Sequence, residues 1–159
     1  MQRLFCATTI AVIIVFVSGV PLLSQANDPI IGTWELNLPK SKFSPGPPPK
    51  SETRSYVAAG QEIKASSKNV DSTGKATTAE WTVIYDGKDR PINGDPNADM
   101  RSLKRIDNFT TEHMQKKAGK VVLSGTRSVS KDGKVLTITT KGTNASGQAV
   151  NNVEVYDKK

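Results

Sequence analysis

The fold class is decided by one segment, Lys120-Val-Val-Leu-Ser-Gly-Thr-Arg-Ser-Val-Ser-Lys-Asp-Gly-Lys-Val-Leu-Thr-Ile-Thr-Thr-Lys141. It holds two runs rich in Val, Ile and Thr, residues 120–129 and 135–141, with the turn dipeptide Asp132-Gly133 between them. Side chains branched at Cβ favour strands, and an Asp-Gly turn between two such runs is typical of a β-hairpin. The segment therefore predicts two antiparallel strands.

The same pattern recurs along the chain. Turn signals such as Ala59-Gly60, Asp86-Gly87 and Ala118-Gly119 separate short runs of Val, Ile, Thr, Tyr and Trp. No run after residue 26 keeps an apolar stripe at helical spacing, so the sequence predicts an all-β domain. About nine strands are expected, at residues 33–38, 53–58, 62–70, 77–85, 100–106, 110–116, 120–129, 135–141 and 150–156.

Short hairpins with one apolar face leave two architectures, a closed meander barrel and a sandwich of two sheets. Closure pairs every strand edge, and the connections after residue 61 are too short for crossovers. We therefore expect a single antiparallel up-and-down β-barrel. Alternation predicts three buried sets of side chains: Trp81, Val83 and Tyr85; Val121, Leu123 and Val129; and Val153 with Val155.

The N-terminus has the order of features found in secretory signal peptides. Arg3 precedes an apolar stretch at residues 4–20, Pro21 ends it, and Ser24-Gln25-Ala26 supplies small residues for cleavage. The sequence predicts a signal peptide at residues 1–26, with its helix outside the fold, and a domain at 27–159. The chain would then be periplasmic or secreted, with no stable membrane span after cleavage. An uncleaved anchor is the alternative, because the apolar stretch approaches the length of a spanning helix.

Composition limits the chemistry of the predicted domain. The full chain has 22 Lys and Arg against 15 Asp and Glu, and loss of Arg3 with the signal peptide lowers the formal charge from +7 to +6. The basic residues are scattered and lack interleaved aromatic side chains, so we expect no nucleic-acid partner. An anionic lipid or polysaccharide of the cell envelope stays open as a partner. Cys6, the only cysteine, lies in the predicted signal peptide.

No catalytic, metal or cofactor site is predicted, and we do not expect an enzyme. His113 is the only histidine, and we expect it at a surface position of its strand. The four aspartates between Asp86 and Asp99 surround a turn sequence and are interpreted as turn residues. Residues 44–50, Ser-Pro-Gly-Pro-Pro-Pro-Lys, are expected to form a stiff, extended, proline-rich connector after the first strand.

Several motifs resemble those of known barrels. The opening Gly32-Thr33-Trp34 is similar to the Gly-x-Trp start of the lipocalins and to the start of the fatty-acid-binding proteins, both calycin-type barrels. The C-terminal hairpin and last strand are also similar to those of the intracellular lipid-binding barrels. Nearly all of residues 27–159 resembles a family of uncharacterised bacterial exported proteins described as lipocalin-like. These resemblances imply a lipocalin-like barrel and no established activity.

The resemblance also implies where a ligand would lie. Fatty-acid-binding proteins hold the ligand carboxylate with an Arg-x-Tyr pair on the last strand, where this chain has Glu154 and Tyr156. A carboxylate at Glu154 would repel such a headgroup. Arg127 resembles a second arginine of that family. The spacing from Arg127 to the Asp-Gly turn is one residue longer than in the family. The ligand-lining candidates are Trp81, Tyr85, Arg127 and Tyr156.

The sequence favours a binding module for a small apolar or amphipathic ligand. The alternative is a non-catalytic envelope or structural protein that contacts anionic lipid or polysaccharide through its basic surface. An interior cavity of about 300 Å³ or more would favour the binding module, since pockets for small molecules begin near that volume.

Overall fold

The computed structural model describes residues 27–159, and the predicted signal peptide lies outside them. The described residues form a closed barrel of ten antiparallel strands. The strands are β1 (Gly32–Leu36), β2 (Ser51–Ala59), β3 (Glu62–Val70), β4 (Ala76–Val83), β5 (Arg90–Asn93), β6 (Met100–Arg105), β7 (Thr110–Lys117), β8 (Lys120–Val129), β9 (Val135–Thr143) and β10 (Ala149–Lys158).

Each strand pairs with the next along the chain, and β1 closes the barrel between β2 and β10. This confirms the up-and-down barrel and adds one strand to the nine expected. The additional strand, β5, is four residues long and pairs with β4 only at Glu80↔Asn93 and Trp81↔Ile92. Its sequence contains Pro91, which donates no ladder hydrogen bond and weakens the strand pattern.

The barrel has two different ends. At the first end, the segment before β1 folds over the interior, and the indole Nε1 of Trp34 donates to the Ile30 carbonyl at 2.8 Å. The apolar core fills this half of the barrel and includes Trp34, Tyr56, Ile63, Trp81, Val83, Leu136 and Tyr156. At the second end, the connectors before β2, β4, β6 and β10 surround an opening.

Burial confirms part of the expected core and corrects the rest. Trp81 and Val83 are buried, whereas Val121 is 55% exposed because a β-bulge lies between β7 and β8 at that point. The buried face of β10 carries Tyr156, so Val153 and Val155 point to the outside of the barrel, where they are half-buried. A β-bulge, or an error of one residue in the alternation, exchanges the side chains that point into the barrel with those that point outward.

The connector after β1 is not simply extended. A 3₁₀ turn, Leu38–Lys40, packs against β10, Lys42 bridges to Val153, and the chain bends at residues 44–46. The turn and the bridge precede the predicted connector at residues 44–50, whose residues 47–49 belong to no helix or strand, and the segment lies over the opening of the barrel. Within residues 27–159, no helix is long and apolar enough to cross a membrane.

Candidate functional site: the interior cavity

A cavity of about 750 Å³ occupies the half of the barrel next to the opening. Its rim is formed by the connector at residues 43–49 and by the loops at 71–73, 94–97 and 144–148. Its wall is made of side chains from β2, β3, β4, β6, β7, β8, β9 and β10. Charged and polar groups dominate that wall: Glu52, Arg54, Asn69, Arg101, His113, Gln115, Arg127, Thr140 and Glu154.

Arg101 points into the cavity from β6 and is 8% exposed. Its guanidinium lies over the indole ring of Trp81, 4.4 Å from the ring centroid. The nearest carboxylate is that of Asp95 on the rim, with Oδ2 at 3.9 Å, and Nε has no hydrogen-bond partner among the described residues. Burial, together with the positive charge of Arg54, lowers the pKa of Arg101 to about 10. The positive charge of Arg101 is therefore only weakly compensated.

Arg127 enters the cavity from β8 and is 4% exposed. Its Nε donates to Thr111 Oγ1 at 3.2 Å and its Nη1 donates to the hydroxyl of Tyr56 at 3.5 Å. Its Nη2 is buried without a partner in the described part of the chain. Tyr56 also meets Trp81 edge to face, with 6.0 Å between ring centroids. The Tyr56–Trp81 pair therefore packs against both arginines, Trp81 against Arg101 and Tyr56 against Arg127.

A third arginine, Arg54, is held by two carboxylates. Its Nη2 lies 2.8 Å from Glu52 Oε1 and 3.5 Å from Glu154 Oε2. Its Nε donates to the hydroxyl oxygen of Tyr156 at 3.0 Å. These four side chains form a buried, self-paired cluster, so Arg54 has no free charge to offer a ligand.

The Tyr156 hydroxyl lies between the two carboxyl groups of that cluster. Its oxygen lies 3.0 Å from Glu52 Oε2 and 3.1 Å from Glu154 Oε2. One hydroxyl has one proton, so it can donate to only one of the two carboxyl groups at a time. Burial raises the pKa of Glu154 above its ordinary value.

His113 corrects a prediction. We expected a surface position, but the side chain is 5% exposed and its Nε2 donates to the Thr139 carbonyl at 2.9 Å. The ring reaches β9 past Gly125, where an added Cβ would lie 1.9 Å from the Thr139 oxygen. Burial, and next the charge of Arg101, lower the pKa of His113 to about 3, so the ring is neutral.

The four predicted ligand-lining residues have different places. Arg127 lines the cavity, and Tyr156 lies behind Glu52 and Glu154, which line it. The Trp81 ring lies beneath the guanidinium of Arg101, which lines the cavity. Tyr85 lies at the opposite end of the barrel, with the Arg105 guanidinium 3.8 Å above its ring centroid, and does not reach the cavity.

The predicted ligand-lining residues did not include Glu52, Arg54 or Arg101. Each is in phase with a buried apolar side chain on its strand. Arg54 lies two residues and Glu52 four residues before Tyr56, and Arg101 lies two residues before Leu103. Charged residues in phase with a buried face are the signal that would have identified them. The usual assumption that Arg and Glu point to solvent hides that signal.

The aspartates between Asp86 and Asp99 do not converge. Asp86 pairs with Arg90 at 2.7 Å, Asp89 with Lys116 at 2.6 Å, and Asp99 accepts from the Ala118 amide at 2.9 Å. Across residues 27–159, no group of three or more His, Cys, Asp or Glu side chains is placed to hold a metal ion.

The sequence matches no protein-family model and no curated protein. Among solved structures, the chain is similar to the zebrafish ileal bile acid-binding protein complexed with cholic acid, at 14% identity and a TM-score of 0.47. That similarity covers 82% of this chain and 99% of the zebrafish chain. At this identity and TM-score, the similarity does not bear on what this chain binds.

Proposed function

We propose that this chain is an exported barrel that binds a small amphipathic molecule in its interior. The observation that carries the proposal is the cavity of about 750 Å³, which opens at one end and is lined by buried polar groups. A space of this size suits a small organic molecule.

The lining favours an amphipathic ligand over a wholly apolar one. Arg101 Nε, Arg127 Nη2, Gln115 Oε1 and Asn69 Oδ1 are buried without a partner among the described residues. Enclosing such groups with a hydrocarbon would cost free energy, because none of them would regain a hydrogen bond. Leu103, Leu123 and Ile138 also line the cavity and supply an apolar surface for the rest of the ligand.

A fluorescence titration with Nile red, an uncharged amphipathic dye, tests interior binding. Thr140 on β9 lines the cavity, so Thr140→Trp should fill it and weaken dye binding about tenfold or more. Thr137 on the same strand lies between the buried Leu136 and Ile138 and points outward, so Thr137→Trp is the matched control.

Saturable dye binding that Thr140→Trp reduces and Thr137→Trp does not would support the proposal. Equal binding by both variants would place the dye on the outer surface. A complete lack of binding by the wild type would favour the alternative of a barrel that acts through its basic surface.

The export part of the proposal is supported by the order of features in residues 1–26 of the sequence. Expression of the full chain in a bacterium, followed by fractionation and N-terminal sequencing, tests it. The expected product is periplasmic or secreted and begins at Asn27. The control is a shortened chain that begins with a new Met followed by Asn27, and it should stay in the cytoplasm. A full chain that stays in the cytoplasm uncleaved would contradict export.

A further inference from the structure

The charges inside the cavity are unevenly distributed. On the side of β2 and β10, Arg54 is paired with Glu52 at 2.8 Å and with Glu154 at 3.5 Å. On the side of β6 and β8, Arg101 has only Asp95 at 3.9 Å, and no hydrogen bond joins Arg127 to a carboxylate among the described residues. The excess charge of the interior is therefore positive and lies on the β6 and β8 side.

The two weakly compensated arginines, Arg101 and Arg127, also pack against aromatic rings. Arg101 stacks on Trp81 at 4.4 Å from the ring centroid, and Arg127 lies beside Tyr56 at 5.7 Å. The Trp81 and Tyr56 rings contact each other edge to face. Stacking on an aromatic face fixes a guanidinium while leaving its in-plane N–H groups free for an acceptor. Such groups lose little conformational entropy on binding a ligand.

On these two arginines, the buried donors Arg101 Nε and Arg127 Nη2 have no acceptor within residues 27–159. A buried, charged donor without an acceptor is costly, and a ligand anion would relieve that cost with charge-assisted hydrogen bonds. The neighbouring polar groups do not oppose an anion, since His113 is neutral and the Glu52–Arg54–Glu154 cluster is internally paired.

From this geometry we propose that Arg101 and Arg127 form an anion-binding site for the ligand's acidic group, a carboxylate, sulfonate or sulfate. The inference rests on the proposed interior binding and names the chemical class of the ligand. The last strand, which carries Glu154, takes no part in holding the anion. The acidic group lies deep in the cavity against the aromatic pair, and the apolar part of the ligand extends toward the opening past Leu123 and Ile138.

Three probes with the same eight-carbon tail separate the effect of the headgroup: octane-1-sulfonate, octan-1-ol and octyltrimethylammonium. Calorimetric titration of the wild-type protein should show the sulfonate binding at least about tenfold more tightly than the alcohol. The ammonium should bind more weakly than either. Added NaCl should weaken sulfonate binding and leave alcohol binding unchanged.

Arg101→Met and Arg127→Met test the assignment, because methionine keeps an apolar stem and removes the charge. Each variant removes a poorly compensated buried cation, so the fold is expected to persist, as circular dichroism would verify. Both should bring the sulfonate affinity down toward that of the alcohol. Arg90→Met is the control, since Arg90 pairs with Asp86 on the outer surface and should not change the preference.

The outcomes separate the two proposals. Equal binding of the sulfonate and the alcohol by the wild type would overturn the anion site and leave interior binding in place. A sulfonate preference that survives both Met variants, or that Arg90→Met abolishes, would also overturn the anion site. Failure of all three probes to bind would overturn interior binding itself.

Discussion

The Arg101 guanidinium covers the ring of Trp81, with 4.4 Å between its central carbon and the ring centroid. Trp81 therefore reports directly on Arg101, whereas Trp34, the other tryptophan, is buried at the closed end of the barrel. An anion that binds Arg101 should change the emission of Trp81 and leave that of Trp34 unchanged.

Two single-tryptophan variants test this. Trp34→Phe should retain the fluorescence change on addition of octane-1-sulfonate, and Trp81→Phe should lose it. Calorimetry on the same variants confirms that each still binds. A response carried by Trp34 would place the probe at the wrong end of the barrel.

The buried carboxyl groups beside Arg54 should differ in their tolerance of neutral replacements. Burial raises the pKa of Glu154, so the neutral replacement Glu154→Gln should cost little stability, about 1 kcal/mol or less. Glu52→Gln removes the carboxylate 2.8 Å from Arg54 and should cost roughly 3 kcal/mol. Urea unfolding at pH 7 measures both. A larger loss for Glu154→Gln than for Glu52→Gln would contradict this order.

Acid should destabilise the protein through His113. Its pKa is about 3 in the fold and about 6.5 when unfolded, so the unfolded chain binds more protons between those values. The free energy of unfolding therefore falls as the pH drops below 6.5, by roughly 3 kcal/mol at pH 4 from this group. His113→Gln should remove that part of the pH dependence.

The pH comparison is made as the difference between wild type and His113→Gln, measured by urea unfolding from pH 7 to 4. Groups common to both proteins cancel, including Glu154, whose raised pKa contributes stability that falls as the pH rises above 4.5. Parallel stability curves for the two proteins would contradict a neutral, buried His113.

The hydrogen bond from His113 to the Thr139 carbonyl depends on the lack of a side chain at Gly125. A Cβ at that position would lie 1.9 Å from the Thr139 carbonyl oxygen and 3.0 Å from His113 Nε2. Gly125→Ala should therefore cost about 2–3 kcal/mol of stability in a thermal or urea melt. Ser124→Ala, at the neighbouring exposed position, should change stability by less than about 0.5 kcal/mol. Similar effects of the two changes would mean that β8 and β9 separate more easily than the structure indicates.

The barrel was predictable because its determinants are local. The bounds of β3 and β8 coincide with the predicted runs 62–70 and 120–129, since turn residues and Cβ-branched runs act within a few residues. β5 was missed because it is short and contains Pro91. The outward position of Val121 was missed because a bulge depends on the neighbouring strand.

The site was less predictable because it depends on pairing between distant strands. Arg54 and Glu154 lie 100 residues apart in sequence and meet only when β1 closes the barrel between β2 and β10. A charged side chain on one strand can be buried only if a partner on another strand pairs with it. Alternation within a single strand does not show whether that partner exists. Arg127 was found through a family resemblance, and Arg101 had no comparable signal.

The central claim is that a small amphipathic anion binds inside the barrel at Arg101 and Arg127. Nuclear magnetic resonance of ¹⁵N-labelled protein, titrated with octane-1-sulfonate, tests it most directly. The expected result is saturable shifts in the Nε–H signals of Arg101 and Arg127 and in the indole signal of Trp81. Shifts confined to outward-facing residues such as Lys64 and Val57, with the interior signals unmoved, would contradict it.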